Sequence, residues 1–169
     1  MSQPIHYPFL FNFREAVSGN GFLAGVTVAG GRALMLLEDG EWWMYGVRPA
    51  GLAETGATPE ETFLRFMGRL KTVLFDIVAG TSTFEEFRAS AERFLNEGND
   101  EEEKRWNAAH QLLKSGTITP EADFLSSLPK VAPETRPTSM GILRLDGAET
   151  EQRFSPNDNV DNTPRLAAA

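Results

Sequence analysis

The chain of 169 residues has two histidines and no cysteine, which limits the chemistry that its side chains could perform. A hydrolytic site needs a nucleophile, a base and a group that orients the base, and the residues around His6 and His110 do not suggest one. The missing cysteine excludes a thiol nucleophile, a Cys-ligated zinc site and a disulfide framework. We therefore predict no catalytic site, no metal site and no cofactor.

The densest group of carboxylates, Asp100 to Glu103, is the remaining candidate for acid–base chemistry. These four residues open a predicted helix, where the helix dipole favours negative charge, so we interpret them as a helix start. The glycines at Gly30–Gly31 and at 19–21 do not open a helix after a strand. They are therefore predicted turns and not phosphate-binding loops.

Three aromatic residues on one predicted strand are more unusual. Strand alternation places Trp42 and Met44 on one face of the sheet, and Trp43 and Tyr45 on the other. We favour burial of both pairs in the core. If one face of the sheet stays uncovered, however, its pair would become a binding surface.

Basic residues cluster where the fourth predicted strand meets the first helix, at Arg48, Arg65, Arg69 and Lys71. They could form a local basic patch, although a solvated helix face is the simpler interpretation of Arg65 and Arg69. The candidate partner-binding residues are Trp43, Tyr45, Arg48, Arg65 and Arg69.

The elements that must position these residues begin with short strand patterns over residues 8–47, with room for a fifth strand afterwards. Phenylalanines alternate with other residues at 9–13, as in a half-buried strand. Turn residues at 18–21, at Gly30–Gly31 and at Asp39–Gly40 separate four strands. An antiparallel meander is the simplest topology.

Three helices are predicted after the strands, over residues of about 59–79, 83–97 and 100–115. The first two begin with capping boxes at Thr58 and Thr83, each followed three residues later by glutamate. The first helix carries the widest apolar stripe and should be the main helix packed on the sheet.

The organisation that we predict is one α+β domain over residues 8–116. Its antiparallel sheet has four to five short strands, with one main helix packed on it and two further helices. Residues 1–7 are predicted to be a flexible N-terminus. Residues 117–169 hold six of the ten prolines, and we predict a largely disordered acidic tail there, with a weak hairpin pattern at 140–154.

Composition narrows the partners and the location. The net charge of −8 makes a broad nucleic-acid-binding face unexpected. The longest apolar stretch, 63–78, is interrupted by charged residues, and residues 1–7 do not resemble a signal peptide. We expect a cytoplasmic protein that neither spans a membrane nor binds DNA.

One stretch has an order of features that is known from a protein family. A strand ending in an acidic residue leads through a Gly-containing turn into an aromatic strand, followed by Pro and Gly, a short strand and a Gly-x-Thr-x-x-Glu helix opening. These features occupy residues 34–38, 39–40, 42–47, 49–51, 52–55 and 56–61. The segment from Leu34 to Ile77 thereby resembles the HicB-like antitoxin domain.

The resemblance implies a small sheet with one packed helix, in a protein that neutralises a small RNA-cleaving toxin. Many members add a DNA-binding element, whereas this chain adds strands before Leu34 and two acidic helices after Gly80. Residues 83–114 carry 5 basic and 8 acidic side chains, so DNA binding is not expected there.

The leading hypothesis is a non-catalytic protein-binding or regulatory module. It would be an antitoxin-like inhibitor whose acidic surface steers it to a small basic protein. One alternative is a small carboxylate-dependent enzyme that uses Asp76, Glu54 and Arg48. Another is a structural homo-oligomer that associates through Trp43 and Tyr45.

Overall fold

The structure is a computed structural model that describes residues 3–146 and 162–169. Within these ranges the chain has the predicted α+β class, with a mostly antiparallel sheet of seven strands, more than the predicted four to five. The strands are β1 (His6–Gly19), β2 (Phe22–Glu38), β3 (Glu41–Arg48), β4 (Ala53–Gly56), β5 (Lys130–Val131), β6 (Ser139–Arg144) and β7 (Arg165–Ala167). The α-helices are α1 (Pro59–Ala79), α2 (Phe84–Leu95), α3 (Asp100–Lys114) and α4 (Asp123–Ser127), and a 3₁₀ turn covers Pro133–Thr135.

The first four strands form an antiparallel meander, as predicted, in the order β4-β3-β2-β1. Strand β2, however, joins the second and third predicted strands into one. The turn after β2 has positive φ at Asp39 (52°) and Gly40 (82°), the conformation that two-residue hairpins require. The turn predicted at Gly30–Gly31 is wrong, because β2 continues through both residues. Gly30 has φ +60° and its N–H donates to Asn12 Oδ1 at 3.1 Å, so this glycine supports a bulge within one long hairpin.

Residues from the predicted tail complete the sheet, which corrects that prediction for the part of the chain described. Strand β7 pairs with β1 and β5, and its Leu166 is fully buried. Strand β6 pairs with residues 24–29, in the first half of β2. Strands of two or three residues carry too little pattern to be found from sequence. The N-terminal prediction is likewise corrected, because β1 begins at His6 and Tyr7 is buried. The second half of the predicted hairpin at 140–154 lies outside the described residues.

Both predicted capping boxes are confirmed. Thr58 Oγ1 accepts from the Glu61 N–H at 3.1 Å, and the Glu61 carboxylate accepts from the Ala57 N–H at 2.9 Å. The same pair of bonds recurs at the start of α2, with Thr83 and Glu86. Each cap satisfies N–H groups that have no partner within the helix.

Helices α1 and α2 pack on one face of the sheet, which we name the first face. Phe66 of α1 is fully buried and meets Phe11 edge-on at 5.4 Å. Phe84 and Phe87 of α2 pack against Phe22 on the same face, next to the β1–β2 hairpin. Helix α2 therefore extends the layer that α1 begins.

Helix α3 packs on the opposite, second face, mainly against β1. Its anchor is Trp106, 1% exposed, whose indole Nε1–H donates to the Phe9 carbonyl oxygen at 3.1 Å. The guanidinium of Arg32 lies 4.3 Å from the Trp106 ring centre and pairs with Glu103 at 3.3 Å. Helix α3 thus covers the second face mainly over β1. Among the described residues, no helix is long and apolar enough to cross a membrane.

Candidate functional site

Trp43 and Tyr45 lie side by side on the second face of β3, as strand alternation predicts. Their rings are stacked, with centres 6.0 Å apart and planes 7° from parallel. In the sheet they pair with Leu36 and Leu34 of β2, both buried. Because α3 lies mainly over β1, the two aromatic side chains remain half-buried. They are neither fully core nor fully exposed.

Next to this pair lies a cleft of about 320 Å³, which we name the Tyr45 cleft. It lies between the N-terminal segment, the end of β2 and the first turn of α3. Arg105 contributes a guanidinium to the lining and is paired with Glu102 at 2.7 Å. The lining residues are Pro4, His6, Leu36, Glu38, Tyr45, Glu102 and Arg105.

The electrostatics of the Tyr45 cleft favour a negative site. Burial lowers the pKa of His6 below its ordinary value, and the nearby Arg105 lowers it further. Burial also raises the pKa of the Tyr45 hydroxyl, an effect that the carboxylates of Glu38 and Glu102 reinforce. The cleft therefore offers aromatic surface, an imidazole and carboxylates.

A larger cleft of about 680 Å³ opens on the first face at the same end of the sheet. We name it the Trp42 cleft, since the half-buried Trp42 belongs to its lining. Pro4 and Glu38 line both clefts, so the two meet around the end of β2. The lining residues of the Trp42 cleft are Gln3, Pro4, Ile5, Tyr7, Leu37, Glu38, Asp39, Trp42, Glu121 and Ala122.

Sequence reasoning missed this second cleft because it assigned the walls to flexible segments. Ile5 and Tyr7 fell in the predicted flexible N-terminus, and Glu121 fell in the predicted tail. A signal in the sequence is the leucine Leu37, which lies two residues before the Asp39 of the Asp-Gly turn. Leu37 is 47% exposed in the structure.

Like charges collect at this end of the sheet, which we call the open end (residues 3–5 and 37–45). Glu38 lies directly opposite Glu41 across the β2–β3 hairpin, an arrangement that is unfavourable in a sheet. Glu102 and Glu121 approach from α3 and from the segment before α4. The open end thus combines exposed apolar and half-buried aromatic side chains with carboxylates on both faces.

Arg65 and Arg69 occupy a different surface. Arg65 donates to the Thr55 carbonyl oxygen at 3.1 Å and pairs with Glu61 at 2.7 Å, while Arg69 pairs with Glu54 at 2.7 Å. Both arginines therefore lie on the outside of α1 against the edge strand β4. By occupying a carbonyl group at that edge, Arg65 hinders the addition of another strand there.

Arg48 lies on a third surface, apart from Trp43 and Tyr45 and from the two arginines of α1. The five predicted partner-binding residues therefore do not form one site. Arg48 lines a cleft on the second face together with Arg32 and Glu103. Glu54, on the α1 side, and Asp76, exposed further along α1, do not join it there. The residues of the enzyme alternative thus lie apart.

The other candidates for chemistry have structural partners. His110 is 8% exposed, lies 5.9 Å from the Trp106 ring, and has its Nε2 atom 3.4 Å from the Ala169 carbonyl oxygen. The Asp100–Glu103 run opens α3, whose cap is Asn99: its Oδ1 accepts from the N–H groups of residues 101 and 102. In the described part of the chain, no group of three or more His, Asp or Glu residues could hold a metal ion.

The geometry of the open end is therefore the main indication of function. Comparison with known proteins returned no matching family model, no matching curated protein and no matching solved structure.

Proposed function

We propose that this protein is a non-catalytic binding module that covers a basic protein partner with the open end of its sheet. The observation that carries the proposal is the surface of half-buried aromatic and exposed apolar side chains at one end of the sheet, bordered by carboxylates on both faces. Exposed apolar surface at a rim of charge is typical of protein-binding sites. Aromatic anchors with surrounding polar groups are typical of interface hot spots.

The partner class that we propose is a small basic RNA-cleaving toxin, which makes the protein an antitoxin-like inhibitor. The segment that resembles the HicB-like domain, residues 34–77, contains the β2–β3 hairpin and hence Trp42, Trp43 and Tyr45. Inhibition would be steric, because a protein seated on the toxin's basic RNA-binding surface excludes the phosphate backbone of its substrate. No catalytic group of this chain is required.

The charges should act mainly on encounter and specificity. Carboxylates around the open end attract a basic surface and speed association at low ionic strength. Desolvated aromatic contacts then slow dissociation, since Trp43 and Tyr45 are already held by their stacking and by the strand. Self-association through the same surface is disfavoured, because it would bring two acidic ends together.

The direct test is to mix the purified protein with the product of a neighbouring small basic reading frame and to measure complex formation and RNA cleavage. We expect a complex at micromolar concentration and loss of cleavage. Trp43→Ala should weaken the complex about 30-fold or more, as truncation of an aromatic hot spot typically does. Phe75→Ala is the matched control, because Phe75 is an exposed aromatic residue (41%) on α1.

Two results would refute the proposal. One is the absence of a complex with any such product at micromolar concentration. The other is a complex that Trp43→Ala and Phe75→Ala weaken equally, because binding would then not depend on the open end.

A further inference from the structure

We propose that the Trp42 cleft receives one apolar side chain from a partner segment in which basic residues flank that side chain. The inference rests on the proposed function and names the chemistry of the segment that binds. It concerns the first face of the open end, whereas Trp43 and Tyr45 lie on the second.

The cleft is large enough to admit an apolar side chain together with part of the segment that carries it. Its volume of about 680 Å³ falls within the range of ligand pockets, and its apolar lining includes Ile5 and Leu37, 37% and 47% exposed. Together with the half-buried Trp42, these side chains form a contiguous apolar surface in contact with water. An apolar side chain in the cleft would remove that surface from water, which is favourable.

The base of the cleft is held in place by the sheet. Tyr7 belongs to β1 and is 3% exposed, and its hydroxyl donates to the Thr119 carbonyl oxygen at 3.4 Å. Trp42 is paired on both sides, with Leu37 of β2 and with Gly56 of β4. Because strands fix these positions, little conformational freedom is lost when a ligand binds.

Charge selects the kind of segment that can dock. The charged residues known to line the cleft, Glu38, Asp39 and Glu121, are all acidic. Binding of a neutral segment would desolvate these carboxylates without pairing them, and an acidic segment would be repelled. Lysine or arginine next to the apolar residue would pair with them and would offset the unfavourable pairing of Glu38 with Glu41.

Synthetic peptides provide a defined probe. The first is a blocked nonapeptide of lysine and glycine with a central leucine; the second replaces that leucine with glycine, and the third replaces the lysines with glutamate. Binding is followed by amide chemical shifts of the labelled full-length protein at low ionic strength. We expect the leucine peptide to bind and to shift the amide signals of Tyr7, Leu37 and Trp42. The glycine peptide should bind at least fivefold more weakly, and the glutamate peptide should not bind.

Matched variants localise the effect. Leu37→Ser should weaken the leucine peptide about fivefold or more, while Leu143→Ser should leave its affinity unchanged, because Leu143 is equally exposed (43%) but lies on β6. Thermal melting of each variant verifies that the fold is retained. Equal binding of the leucine and glycine peptides would overturn the inference, since charge alone would then explain it. Shifts confined to other surfaces would also overturn it.

The two proposals can fail separately. A protein complex that depends on Trp43 but is insensitive to Leu37→Ser would refute the role of the Trp42 cleft and leave the binding module standing. Peptide binding that Leu37→Ser abolishes, without any protein complex, would uphold the cleft and refute the masking of a partner.

Discussion

Two tryptophans on the second face allow a quantitative test of how far helix α3 covers the sheet. Trp106 is 1% exposed, donates a hydrogen bond to Phe9 and stacks under Arg32. Trp43 is half-buried and contacts Tyr45 at the margin of the same face. The substitutions Trp43→Ala and Trp106→Ala remove the same atoms, so the difference in stability measures the difference in environment.

The expected magnitudes follow from these contacts. A buried tryptophan replaced by alanine costs about 3–5 kcal/mol. For Trp106 we expect the upper end, about 5 kcal/mol, because the loss of its hydrogen bond to the Phe9 carbonyl oxygen adds roughly 1 kcal/mol. Trp43 keeps part of its ring in contact with water, so its truncation removes less buried area than that of Trp106. With the loss of the contact with Tyr45, we expect roughly 2–3 kcal/mol at about 25 cal/mol per Å².

The assay is urea unfolding followed by far-ultraviolet circular dichroism, which does not depend on the tryptophan signal that each variant removes. Trp106→Phe serves as the control for shape, since it keeps an aromatic ring but loses the donor to Phe9; we expect a cost between those of the two alanine variants. If Trp43→Ala were as destabilising as Trp106→Ala, Trp43 would be core and could not be a partner anchor. If Trp43→Ala melted like the parent, the half-buried environment would be wrong.

Three further predictions concern the core, the C-terminal strand and pH, and each can be measured by unfolding. Leu70→Ala should lower the free energy of unfolding by about 2–5 kcal/mol, because Leu70 is fully buried. Thr58→Ala, which removes one helix cap, should lower it by about 1 kcal/mol. Equal costs would mean that the buried face of α1 is misassigned. Removal of residues 162–169 should lower the melting temperature by several degrees, since Leu166 is fully buried in β7; an unchanged melting temperature would show that β7 contributes nothing. The pKa of His6 lies below its ordinary value of 6.5 in the folded state, so the unfolded state takes up the proton at a higher pH than the folded state. The free energy of unfolding should therefore fall as pH drops below about 6.5 towards that lowered pKa. His6→Gln should flatten this dependence, and an unchanged pH profile would contradict it.

The strands and helices that carry strong local signals were predictable from sequence. Thr58 and Thr83 cap their helices as expected, and the Asp39–Gly40 turn ends β2. These features depend on contacts between residues only a few positions apart, which is why the sequence pattern contains them. Alternation along β3 also placed Trp43 and Tyr45 on one face correctly.

Features that depend on distant partners were not predictable. Gly30 was expected to be a turn, but Asn12, 18 residues earlier, accepts from its N–H and allows a bulge within β2 instead. Strand β7 has three residues, and its place in the sheet follows from pairing with β1 at Phe9 and Leu10, far away in the sequence. The Trp42 cleft was missed for the same reason, since its walls come from three separate parts of the chain.

The arrangement of helices explains why the open end stays uncovered. Helices α1 and α2 each have one apolar stripe, and both stripes pack on the first face, where Phe22 contacts the phenylalanines of α2. Helix α3 alone remains for the second face, and Trp106 holds it over β1 through the Phe9 carbonyl. Neither layer extends over the β2–β3 hairpin. Leu37 of β2 and Trp43 of β3 therefore keep contact with water, on opposite faces of the same end of the sheet. Carboxylates there keep exposed apolar groups from pairing with a second copy of the chain, yet they favour a partner of opposite charge. The affinity for such a partner should accordingly decrease as salt is added, while the stability of the core should not.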